Sequence, residues 1–148
     1  MLEPIELSRE ESESLLRLGV VGRIAVTTPD GPYIVPVNYS VVGDAVVLRT
    51  TPYSLLGLHA RDAVVAFEVD RLDQDEHHGW SVLARGRAEA VTDPEELEQI
   101  EATYPPTPWA SGNRPLFLRI AWTEVTGRKL GRGWDPLAEM PYQRRFDT

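Results

Sequence analysis

Residues 49–54 read RTTPYS, and these residue types can hold an anion. Arg49 supplies a planar guanidinium that matches two phosphate oxygens at once. Thr50, Thr51 and Ser54 bring hydroxyls. The leucines at 55, 56 and 58 predict a short helix over about 52–60, with Pro52 in its first turn. The unpaired N–H groups of such a turn, and the dipole behind them, favour negative charge. The same residues have a plainer use: Thr50 or Thr51 as a helix cap, and Arg49 on a solvated strand face. The local pattern leaves both open.

Other chemistry-bearing residues are sparser. His77 and His78 sit in DQDEHHGW, where a metal site competes with a solvated hairpin loop; neighbouring side chains usually diverge. His59 falls near the end of the short predicted helix, where a cation suits the dipole. Glu68 and Asp70 in FEVD share a strand face by alternation. They form either an acid–base pair or, more simply, partners for an arginine. Four tryptophans are candidates for ring contacts or packing. Trp80 and Trp109 are placed to lie on a bound ring, Trp122 in the core or an interface, and Trp134 over a site. The chain contains no serine–histidine–acid order and no Walker-type loop.

These residues need elements to position them. Ser8 with Glu11 fits a capping box, and Leu15, Leu16 and Leu18 form an apolar stripe, so a helix is expected over 8–18, ended by Gly19. RIAVTT, PDG and PYIVPVNYSVV read as two strands around a tight turn. VGD makes a second turn and AVVLRT a third strand. AVVAFEVD at 63–70 is a fourth strand, apolar enough to be buried on both faces, followed by a polar loop, RLDQDEHHG. WSVLARGRAEAV at 80–91 is a fifth, with Gly86 marking a bulge or bend. Asp93 caps a helix over PEELEQIEATY, PPTPWASGNRP is irregular, and LFLRIAWTEVTG at 116–127 is a sixth strand. Residues 128–148 form a tail to a single domain. Six strands at short spacing predict one closed or nearly closed antiparallel barrel.

Bulk properties narrow the function. The chain has 148 residues and a net charge of −8, against a general nucleic-acid binder. It contains no cysteine, which excludes disulfides, thiolate nucleophiles and zinc–cysteine sites. Lys129 is the only lysine among 15 basic residues, so a phosphate site would use arginine. No apolar run approaches the ~20 residues that span a bilayer. The opening MLEPIELSREESES lacks a signal peptide's apolar core, and a cytoplasmic location is expected.

In order and spacing, GPYIVPVNYSVVGDAVVLRTTPYSLL, VAFEVD, GWSVLARGRAEAV and VTGRKL resemble the pyridoxamine 5′-phosphate oxidase-like proteins, the flavin-binding split barrels. The closer likeness is to the short bacterial branch that includes nitroimidazole reductases, over about residues 8–130. The resemblance implies a mainly β, six-stranded antiparallel split barrel. It implies a homodimer with FMN in grooves between the subunits, acting as an oxidoreductase on a small molecule. Phosphate contacts would come from Arg49, Thr50 and Ser54, and ring contacts from Val35, Pro36, Val37 and Asn38. Trp80, Ser81 and Arg85 would reach the flavin held mainly by the other subunit. The reacting partner would enter near Asn38, Tyr39 and Trp80. Many relatives carry a lysine directly after the serine, where this chain has Leu55. That departure removes a charged hydrogen bond of roughly 1.5–3 kcal/mol, which Arg85 or Arg87 would have to replace. It keeps three alternatives open: the deazaflavin F420 as cofactor, heme more distantly, and a binding role without turnover.

Overall fold

The computed structural model describes residues 3–103 and 112–139. The elements run β1 (Pro4–Glu6), α1 (Arg9–Leu18), β2 (Val21–Thr28), β3 (Gly31–Asn38), β4 (Ser40–Val42), β5 (Ala45–Thr50) and α2 (Leu55–His59). They continue β6 (Ala63–Asp73), β7 (His78–Ala90), α3 (Pro94–Thr103) and β8 (Leu116–Leu130). The protein is mainly β, and its strands form one antiparallel sheet in the order β3-β2-β6-β7-β8-β5-β4, with β1 added on β8.

The two end strands of that sheet, β3 and β4, are separated in the chain by Tyr39 alone. One stretch of chain therefore pairs with β2 along its first half and with β5 along its second. The sheet has to curl until its ends meet, which is the split barrel. Tyr39 is the pivot. It is fully buried, its hydroxyl donates to the Leu16 carbonyl at 2.6 Å, and its ring meets Phe67 edge-on at 4.7 Å. Gly19 is a glycine for the same reason: a Cβ there would lie 2.1 Å from the Tyr39 hydroxyl. Gly19 does end α1, but in an extended conformation (φ −75°) rather than a left-handed one.

Alternation decides what each strand buries. Even-numbered residues of β2 and β7 face inward, with Ile24, Val26, Val82 and Ala84 buried, while odd-numbered ones face out. Phe67, Leu48, Leu118 and Ile120 complete the core, and α1 plugs it with Leu15 and Leu16. Burying each of those leucines contributes about 1.5–3 kcal/mol. The capping box that starts α1 is present in full: Ser8 Oγ accepts from the Glu11 N–H, and Glu11 accepts from the Ser8 N–H, both at 3.1 Å. A second cluster, Val47, Val91, Ile100 and Phe117, lies outside the barrel under α3.

Several expectations are corrected. The described residues form eight strands, not six, because β1 is a three-residue strand held by β8 and because the segment 32–42 breaks at Tyr39. β6 is not buried on both faces: Val64 and Leu72, on its outer face, are 54% and 70% exposed. The expected loop at 71–79 is mostly hairpin, since β6 runs to Asp73 and β7 starts at His78. β8 runs to Leu130, so residues 128–130 are strand rather than tail. The anticipated bend at Gly86 is real. The β7–β8 register shifts between Arg85 and Gly86, and a Cβ on Gly86 would lie 2.2 Å from the Ala121 carbonyl. Trp109 and most of the 105–115 stretch lie outside the described residues.

Candidate functional site

The β5–α2 corner is built around Ser54. Its side chain, not that of Thr50 or Thr51, is the helix cap, accepting from the Gly57 N–H at 3.1 Å. Because Ser54 takes that role, α2 begins at Leu55 and Pro52 lies in the turn ahead of it, not in its first turn. Ser54 Oγ also donates to the Thr51 carbonyl at 2.8 Å and lies 2.6 Å from Thr50 Oγ1. With Ser54's proton on Thr51, the Thr50 proton points to Ser54. Both hydroxyls thus fix the corner's shape. Gly57 lets the helix lie on that turn, since a Cβ would come 2.2 Å from the Thr51 carbonyl.

Strand alternation sends neighbouring residues apart. Thr50 faces inward and is buried, whereas Arg49 emerges on the outer face, half-buried. The Arg49 guanidinium stacks over Phe117 at 4.8 Å, and its Nε donates to the Arg114 carbonyl at 3.2 Å. Among the described residues its two Nη groups have no partner, so they remain available as donors. Pro52 and Tyr53 beside it are exposed, Tyr53 at 87%. The corner is therefore filled on its barrel side and open on its outer side. Leu55 packs partly buried against the core.

The split in the barrel brings the second predicted group alongside. Continuing the β4–β5 register, in which Ser40 faces Val47, by two residues sets Asn38 opposite Arg49. β3 and β5 are in contact. Val35 and Val37 turn inward against the core, while Pro36 and Asn38 lie on the outer face with Arg49.

Trp80, Ser81 and Arg85 are not part of this assembly within one chain. Asn38 and Ser81 lie level on the outer face but three strand steps apart, β3-β2-β6-β7. At about 4.8 Å per step they are separated by roughly 14 Å. Ser81 and Arg85 both face out, and Arg85 is paired with Glu124 at 3.1 Å. Trp80 instead faces inward as a core residue, 5% exposed, and its edge lines a small pocket with His78 and Trp134. Of the three residues expected beside an entering reactant, Tyr39 and Trp80 are buried and Asn38 lies on the outer face.

The remaining candidates have structural partners. Arg23, on β2, bridges Glu68 at 3.3 Å and Asp70 at 3.2 Å. A hydrogen bond shared with Asp70, then burial and Asp70's charge, push the Glu68 carboxyl up to about 7, against the pull of Arg23. His78 stacks on Trp134 with ring centroids 4.5 Å apart, and His77 occupies the hairpin turn with φ 55°. His59 lies in the last turn of α2. Trp122 is core, with its indole N–H donated to Glu13 at 3.3 Å. Arg87 donates to the Asp62 carbonyl at 2.6 Å, so neither it nor Arg85 is placed at the β5–α2 corner.

Sequence reasoning missed one feature. A groove of about 340 Å³ lies on the outer face across β1, β8 and β7, and Ser81 lines it together with Glu6 and Arg128. No local signal announces it, because β1 reaches β8 only through long-range pairing.

Comparison with known proteins fits this geometry. Residues 8–129 match the family model described as pyridoxamine 5′-phosphate oxidase. The Mycobacterium tuberculosis protein Rv0080 is 33% identical over 133 residues, covering 86% of either chain. The FAD binding protein from Mycobacterium smegmatis superimposes with a TM-score of 0.71 at 30% identity, over 84% of this chain and 97% of that one. The FAD and heme binding protein from the same organism shares the fold at 20% identity, with a TM-score of 0.65 over 92% of this chain and 80% of that one. With its family model matched over most of its length and its sheet closed through Tyr39, the chain belongs to the pyridoxamine 5′-phosphate oxidase-like family of split barrels.

Proposed function

We propose that this protein is a flavin-binding oxidoreductase that acts as a homodimer. The observation that carries the reading is the split itself: Ser40 pairs with Val47, so the chain just before it, with Asn38, runs toward the Arg49 end of β5, above a corner fixed by Thr50 and Ser54. The donor set suits a flavin phosphate. Arg49 offers two Nη groups that have no partner among the described residues, and Pro52 and Tyr53 beside it are exposed. Val35, Pro36, Val37 and Asn38 form the adjoining strand on which the ring rests, and Thr50 and Ser54 position the phosphate contacts through the shape they impose. A bound flavin supplies the electron transfer itself. The chain's part is to orient the ring, shield one face and hold the phosphate. This division explains why no acid–nucleophile constellation is needed.

The homodimer follows from the roughly 14 Å between Asn38 and Ser81 on one chain's outer face. A twin subunit, packed on that face, brings its own Ser81 and Arg85 to the flavin. Support comes from Val21, Ile34, Val64, Leu72 and Leu83, all exposed on the same outer face. FMN is the first candidate. FAD is the second reading, favoured by the 30% identity to a protein described as binding it. Leu55, packed toward the core, offers no charge to the phosphate, which leaves Arg49 as the dominant contact.

Titrating the purified protein with FMN, FAD and F420, followed by cofactor fluorescence, tests the assignment. Arg49→Ala should weaken the bound flavin about 10- to 100-fold, the equivalent of roughly 1.5–3 kcal/mol for a charged hydrogen bond. Its circular dichroism should stay unchanged. Identical titrations for the variant and wild type would refute the site.

A further inference from the structure

We infer that Arg114 is a second cation for the flavin phosphate, standing beside Arg49 where the chain enters β8. The inference deepens the flavin reading and rests on it. A phosphate monoester carries close to two negative charges at neutral pH, its second ionisation falling near ~6. Arg49 supplies one positive charge. Several other arginines are committed elsewhere: Arg85 to Glu124, Arg87 to the Asp62 carbonyl, and Arg119 to Glu89 and Glu96. Arg114 differs from them in place and in partners. Its carbonyl accepts from Arg49 Nε at 3.2 Å, so its side chain springs from the residue that the Arg49 side chain already grips. Arg114 is half-buried, and its Nε is buried with no hydrogen-bond partner among the described residues. Among those residues no ion pair includes it. A guanidinium partly stripped of water and lacking a counter-charge is destabilising, and an anion at its Nη end offsets that cost. Arg49 is already fixed by its face on Phe117 and by its Nε, with both Nη groups left over. Arg49 thus presents a fork to the phosphate, and Arg114 adds a second charge and donor set from the loop side. Its neighbours Gly112, Asn113 and Pro115 are exposed, so this loop faces solvent and tolerates substitution.

Riboflavin, which is FMN without its phosphate, isolates this contribution. The full-length protein, freed of cofactor, is titrated with FMN and with riboflavin, each followed by flavin fluorescence. The ratio of the two affinities reports the phosphate alone. Arg114→Gln removes the guanidinium but keeps the main-chain carbonyl that Arg49 uses. It should lower the FMN-to-riboflavin ratio about tenfold, with riboflavin affinity and circular dichroism as in wild type. Arg114→Lys keeps the charge and should recover most of that loss. The wild-type preference for FMN should grow from about pH 5 to about pH 7.5, as the phosphate loses its second proton, and should grow less in Arg114→Gln. A ratio unmoved by Arg114→Gln but lowered by Arg49→Ala would overturn the inference and leave the phosphate reading in place. A ratio unmoved by either variant would remove the phosphate reading, and this inference with it. Equal losses of FMN and riboflavin in Arg114→Gln would give Arg114 a structural role only, and would also overturn the inference.

Discussion

At the scale of single residues, the outer face carries an unusual triad. Arg23 holds Glu68 and Asp70, and the two carboxyls share a hydrogen bond that raises Glu68 to about 7. Folding therefore favours the protonated form of Glu68, whose ordinary value is 4.5. That contribution is complete below the ordinary value and is lost as pH rises through about 7. Glu68→Gln keeps the hydrogen-bond donor and removes the ionisation. Its melting temperature should match that of wild type near pH 4.5 and exceed it at pH 8. Equal melting curves at both pH values would show that Glu68 ionises as it does in water. The sequence placed Glu68 and Asp70 on one face with an arginine as partner, but alternation within β6 cannot say which arginine. Only the pairing of Arg23 with Glu68 in the β2–β6 register does that.

At the scale of elements, α2 shows how closely the corner is built. The helix lies on its own leading turn because Gly57 has no Cβ to strike the Thr51 carbonyl. Gly57→Ala places an atom against backbone that cannot step aside. Overpacking of this kind typically costs 1–3 kcal/mol, and urea unfolding should show a loss of about that size. Since the same turn shapes the corner proposed to hold the phosphate, flavin affinity should fall with it. A variant of undiminished stability and affinity would mean the turn has slack. Most elements were legible because their signals are local: the capping box of α1, the β5 strand, the bulge at Gly86. β1 and the β3–β4 break were not. A three-residue strand has no periodicity to read, and the pattern of VPVNYSVV runs unbroken through Tyr39 although the pairing partner changes there.

At the scale of the molecule, the exposed outer face is the main consequence of the curl. Closing the sheet gives every strand one inner and one outer face, and α3 covers the outer side only around Val47 and Phe117. Ile34, 69% exposed, stands on β3 at one end of what remains. Ile34→Asp should shift the protein from dimer to monomer in light scattering, while leaving the barrel folded. It should also weaken flavin binding, because Ser81 and Arg85 would no longer arrive from a partner. A variant that stays dimeric, or a wild type that is monomeric, would remove the shared-groove model.

The sequence alone determined the antiparallel β character and the position of the β5–α2 corner, because turns, caps and alternation act over a few positions. It could not decide which face each residue takes once the sheet curls. Trp80 went to the core and Ser81 to the surface; Arg49 separated from Thr50 and stacked on Phe117. Those outcomes depend on registers between strands distant in the chain. A shift of one residue would reverse every side chain on a strand, and only the packed barrel fixes the choice.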